Sequence, residues 1–278
     1  KLKREIEIIN KSNLSQIHRI YLLINSCKNL GTLPFSGLAR SAFIATRILK
    51  SFINNKLISE KDLEKFYSSI NSITNTINSE LLLIKTSSKK KVFLSKYGHL
   101  RPSTYSISSQ NYRENFKNYF SIKSKNIKIK KEKFKLNLIN QKLINKNFKK
   151  HKLKTNYKKF IEFSKNSIKL REYSKFIFTK CIDEIFNNLI SLGKEIGIKR
   201  EDMEHVSIKN ILKYYNNVES AFKLKKQLNK EILENKKNSN LLNLIEFPDF
   251  IENKNDMYYH TISKKKGNFI TTGKINGA

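Results

Sequence analysis

Tryptophan is missing from this 278-residue chain, and cysteine, proline and glycine are scarce, with two, three and eight residues. Two cysteines, Cys27 and Cys181, are too few for a disulfide framework. No Cys/His spacing resembles a metal site, so no metal ligands are assigned. Isolated thiols of this kind suit a reducing compartment. No apolar run approaches the roughly 18 residues that a membrane-spanning helix needs, and no signal-peptide pattern is visible. The expected location is cytoplasmic, with no membrane partner. The first residue is Lys1 rather than Met, so the chain reads as a fragment of something longer. A Gly-rich phosphate loop and a nucleophile elbow are also missing.

Acids are the other shortage. There are 23 Asp plus Glu against 56 Lys plus Arg, a formal charge of +33. The basic excess is 48 Lys and only 8 Arg, beside 33 Asn. A selected nucleic-acid surface recruits more Arg, for bidentate contacts, whereas a Lys, Asn and Ile excess follows the codon drift of an AT-rich genome. Whatever its origin, this charge predicts non-specific polyanion binding at low salt. The 38% hydrophobic content, with 18 Phe and 12 Tyr, argues against wholesale disorder, and the length permits one large domain or two ordinary ones.

Helical spacing dominates. Leu2, Ile6, Ile9, Leu14, Ile17 and Tyr21 recur at helical intervals, and a break is expected at Gly31-Thr32-Leu33-Pro34, with Thr32 as cap. The next helix carries Phe35, Leu38, Ala42, Ala45, Leu49 and Phe52, with Arg40 and Arg47 seven apart on one face. Ser59 and Asp62 form a capping box for a helix through Ile77. Ser87–Lys91 reads as an exposed turn. Residues 123–159 hold 15 Lys and one acid, Glu132, and read as a partly ordered linker with helical pieces. The clearest helix covers 160–192, with Gly193 and Gly197 at its end. Another covers 219–236, and Asn268–Thr272 is β-prone. The predicted fold is mainly α, an irregular multi-helix bundle with a short β-prone C-terminal segment. Its expected divisions are 1–120, a linker at 121–159, 160–246, and a connection over 247–278.

The densest chemistry lies in Tyr97-Gly-His-Leu-Arg-Pro-Ser-Thr-Tyr-Ser-Ile107. Gly98 opens backbone conformations closed to other residues, and Pro102 pushes Arg101 out of the helical region. The stretch reads as a rigid connection presenting His99, Arg101 and Tyr105, an imidazole and a guanidinium suited to anions or phosphate. A helix-breaking loop whose polar groups cap its neighbours is the plainer alternative.

This stretch resembles the Tyr-Gly-His-Leu-Arg-Pro-Gly-Thr-Tyr-Asp-Ile segment of phosphoenolpyruvate synthase-like, PEP-utilising enzymes. Further stretches match in the same order: Leu33–Leu49 with its Ala39-Arg40 pair, Arg171-Glu172-Tyr-Ser-Lys-Phe-Ile-Phe-Thr-Lys180, Leu192–Ile211, and Gly267-Asn-Phe-Ile-Thr-Thr272. Ser103, Ser106 and Gln110 depart from the family's pattern, Ser106 replacing an Asp. The resemblance implies the central helical region of a phosphotransferase that relays phosphate from ATP, with Mg, through a mobile histidine domain. The ATP-grasp domain and the carrier histidine of that relay are absent from this sequence. They would be partners in the same polypeptide, and this chain would be inactive alone. An anionic small-molecule acceptor is implied, with His99 catalytic and Arg40, Arg47, Arg101, Tyr105, Arg171 and Glu172 binding it, Glu172 orienting an arginine. Two rival classes remain: a basic helical nucleic-acid-binding module and an inert helical spacer.

Overall fold

The computed structural model describes residues 1–120, 134–215, 221–242, 245–246, 253–258 and 261–262. Among these residues the chain is mainly helical. Lys1–Glu204 and His205–Ala278 form two compact units.

The first unit opens with α1 (Leu2–Lys11) and α2 (Gln16–Cys27), whose cap is the Ser15 hydroxyl accepting from the His18 N–H. The expected break at Gly31-Thr32 is instead a π-helical turn, Lys28–Thr32, that runs into α3 (Leu33–Asn54). Thr32 does not cap. Its backbone is helical, and its hydroxyl donates back to the Lys28 carbonyl. Gly31 is needed there for space. A Cβ on it would lie 2.9 Å from Phe178 Cβ and 3.2 Å from Leu2 Cδ2.

α4 (Glu60–Ser68) starts at the expected capping box, with Ser59 and Asp62 exchanging hydrogen bonds. Ser72 then starts a separate helix, α5 (Ile73–Leu82). Ser87–Lys91 is not a turn but the opening of α6 (Ser87–Tyr97), because the Thr86 hydroxyl accepts from the Lys89 N–H. An irregular segment separates α6 from the short α7 (Phe116–Tyr119). Within the lysine-rich stretch, residues 121–133 lie outside the described residues, and Leu138–Lys150 form α8.

α9 (Tyr157–Ile196) is the axis of this unit. At 40 residues it is about 60 Å long at the usual rise per residue, enough to reach every apolar cluster. Near its start Tyr157 and Phe160 join Phe52, Phe66, Ile144 and Phe148. Further along, Phe178 and Cys181 join Leu2, Ile6, Leu23 and Cys27. Phe176 packs beside Phe93, Tyr97 and Phe116. The expected division at 159/160 therefore falls inside a unit whose cores all draw on α9. Gly197, at φ 71°, ends the helix, and the Ile198 and Gly197 N–H groups return to Gly193 and Lys194. α10 (Arg200–Met203) closes the unit.

The second unit contains α11 (Ile208–Lys213) and α12 (Ala221–Leu242). Leu224, Leu228 and Ile232 are buried at four-residue spacing on α12. The Ser207 N–H donates to Glu231 Oε1 at 2.9 Å, and Asn235 Nδ2 donates to the His205 carbonyl at 2.8 Å. β1 (Ile245–Glu246) pairs antiparallel with β2 (Thr261–Ile262). The β-prone Asn268–Thr272 lies outside the described residues.

Candidate functional site

The segment between α6 and α7 turns inward rather than outward. Gly98 has ordinary helical dihedrals, φ −61° and ψ −22°, so conformational freedom is not its role. A Cβ at Gly98 would collide with the Leu94 carbonyl oxygen and lie 3.2 Å from Arg113 Nε, so close approach demands the glycine. The Tyr112 and Arg113 N–H groups return to the Leu100 and Gly98 carbonyls, pinning both ends of the segment together.

His99 is 4% exposed, with its ring 4.9 Å from that of Phe176 on α9. Its Nε2 lies 3.2 Å from the Phe176 carbonyl. A carbonyl can only accept, so Nε2 carries the proton and Nδ1 the lone pair. Burial pushes His99 down to about 4, and the charges of Lys180, Arg113 and Arg101 push the same way. The imidazole is neutral at neutral pH. It hydrogen-bonds there but is not a stored proton.

Arg101 is equally enclosed, at 7% exposure. Its fork is engaged by the protein: Nη2 donates to Asp183 Oδ1, and Nη1 to the Ser109 and Ser106 carbonyls. The guanidinium carbon lies 4.8 Å from the centre of the Phe186 ring. Asp183 also accepts from Asn111 Nδ2 at 3.0 Å, while its Oδ2 is buried without a partner. Burial raises the Asp183 carboxyl above its usual range, against the pull of Asn111 and Arg101. Arg200, at the start of α10, clamps the far side through the Ile107 and Ser109 carbonyls and Glu114. Burial pushes Glu114 up, but its bonds to Arg200 and the Asn111 N–H leave it below the usual carboxylate range. Ser106 lacks the carboxylate of the resembling segment, yet its hydroxyl donates to Glu204 Oε1 at 2.7 Å. Ser108 donates to the other oxygen of the same group.

The remaining sequence candidates lie elsewhere. Tyr105 is 64% exposed, and Arg40 and Arg47 share the exposed face of α3. Arg171 is half-buried, its guanidinium 5.4 Å from the Phe43 ring centre. Arg171 Nε and Glu172 Oε2 are buried without partners, and among the described residues no ion pair joins Glu172 to an arginine. The residues that sequence reasoning passed over are Asp183, Asn111, Arg113 and Lys180. Asp183 carried a signal: it lies seven residues after Phe176, on the same buried face of α9, where a lone acid needs a partner.

Chemically, the site is a neutral imidazole amid three cations and one buried carboxylate. Among the described residues no group of three or more His, Cys, Asp or Glu is placed to hold a metal ion. The cations gathered about His99 oppose a further cation there, and no ATP or Mg step is assigned to the site. No helix among the described residues is long and apolar enough to cross a membrane. Compared with protein-family models, curated proteins and solved structures, the chain matches none.

Proposed function

We propose that this chain is the acceptor-side and docking domain of a phosphoenolpyruvate synthase-like phosphotransferase. The observation that carries the reading is the gathering of Arg101, Arg113 and Lys180 about His99 with Asp183 as the buried counter-charge. Such a surplus of cations favours an anion. The matching stretches also meet: His99 rests on Phe176, Arg171 lies over Phe43, and Arg200 holds the Ile107 carbonyl.

In this reading Arg101 and Asp183 hold the loop in shape. Arg113 and Lys180 neutralise the acceptor's carboxylate or phosphate oxygens, and His99 accepts a hydrogen bond from the acceptor through Nδ1. The phosphate arrives from a carrier histidine on another domain. Arg40 and Arg47, on the exposed face of α3, belong to the docking surface.

The test is calorimetric titration of phosphoenolpyruvate and of inorganic phosphate into the chain. A charge-assisted hydrogen bond is worth about 1.5–3 kcal/mol, so Arg113→Ala and Lys180→Ala should each weaken binding roughly tenfold or more. Binding that both variants leave unchanged sinks the reading.

A further inference from the structure

The chain's only two cysteines, 154 positions apart in sequence, meet in the core. Cys27 ends α2, and Cys181 lies in the middle of α9. They are 6% and 0% exposed. Their contacts are reciprocal. Cys27 Sγ donates to the Phe178 carbonyl at 4.0 Å, three residues before Cys181. Cys181 Sγ donates to the Leu23 carbonyl at 3.4 Å, one turn before Cys27. Two side chains that each reach the turn preceding the other face each other. The helices close tightly here, since Gly31 leaves room for Phe178 and lies against Cys27 Sγ.

We propose that Cys27 and Cys181 are a redox site, forming an intramolecular disulfide on oxidation by a peroxide and stapling α2 to α9. The polarity of the pair fits this chemistry. The neighbouring Cys181 thiol lowers Cys27 below its ordinary pKa, while Cys27 and burial raise Cys181. Cys27 is therefore the more acidic of the two thiols and supplies the attacking thiolate. Its sulfur attacks one peroxide oxygen and the O–O bond breaks. Cys27 becomes a sulfenic acid, and the departing hydroxide takes up the proton that the thiol lost, as water. The Cys181 sulfur then attacks the Cys27 sulfur, the S–O bond breaks, and the expelled hydroxide leaves as water with the Cys181 proton. Two thiols are oxidised and one peroxide is reduced to two waters. The juxtaposition of the two cysteine side chains favours this second step over further oxidation of Cys27. The bond lies close to Phe176, so it fixes the stretch of α9 whose carbonyl meets His99.

The experiment exposes the reduced, folded chain to graded hydrogen peroxide, quenches it by alkylation under denaturing conditions, and reads free thiols by mass. Both thiols should disappear together, with the mass falling by two hydrogens and a linked peptide pair containing Cys27 and Cys181. Dithiothreitol should restore both thiols. In Cys181→Ser, Cys27 should stop at the sulfenic acid or pass to sulfinic acid, with no linked peptide. Circular dichroism of each variant checks that it folds, and the wild-type mass stands without either variant. Thiols that remain fully alkylatable, disulfides only between chains, or independent sulfinic acids in the wild type would each overturn the proposal.

Discussion

His99 is the group whose protonation tells most about its surroundings. Its pKa in the folded chain is about 4, against 6.5 for the free side chain, because burial and then the nearby cations oppose its charge. Below pH 6.5 the unfolded chain takes up a proton that the folded chain refuses, so stability falls as pH drops from about 6.5 to about 4, then levels off. The whole effect is about 3 kcal/mol. His99→Gln, neutral at every pH, should flatten that part of the stability curve in urea unfolding. A curve as steep as wild type would mean that His99 is solvated. Asp183 offers a companion test. Removing it leaves Arg101 buried and unpaired, so Asp183→Ala should cost about 3–5 kcal/mol, while the double change Arg101→Met with Asp183→Leu should cost much less. Equal losses from single and double changes would contradict the pairing.

At the scale of elements, the fold turns on how closely the π-helical turn approaches α9. Gly31→Ala puts a methyl 2.9 Å from Phe178 Cβ, and such overpacking should cost about 1–3 kcal/mol in thermal unfolding. An unchanged midpoint would show that α2 and α3 are free to shift. The elements themselves were largely legible in the sequence. The apolar spacing of α3 and α9, the Ser59–Asp62 box and the Gly197 cap are local signals, and local hydrogen bonds realise them. The errors at Ser87–Lys91 and at Gly31–Thr32 are local too. A run of lysines hid the Thr86 cap, and a helix that widens by one residue looks like a break. The site was less legible. Tyr97–Ile107 stood out by residue type, but nothing in its spacing shows that Arg101 would face Asp183, 82 residues away. Burial of a loop depends on tertiary packing, as does the meeting of Cys27 and Cys181.

At the scale of the whole molecule, the +33 charge and the proposed site make separate predictions. If the lysines reflect codon drift, binding to DNA or RNA should be independent of sequence and collapse steeply between low and physiological salt. Filter binding across a salt series reads this directly, and sequence-selective, sub-micromolar affinity at physiological salt would favour the nucleic-acid module. The phosphotransferase reading places nucleotide chemistry elsewhere, so the chain alone should transfer no phosphate from ATP. Transfer by the purified chain would contradict that assignment. The most direct measurement maps where phosphoenolpyruvate lands, by following backbone amide shifts during a titration at physiological salt. Saturable shifts should concentrate at Gly98–Arg113 and Phe176–Lys180 and be lost in Lys180→Ala. Weak shifts scattered over the lysine-rich surface, with none near His99, would contradict the phosphotransferase reading.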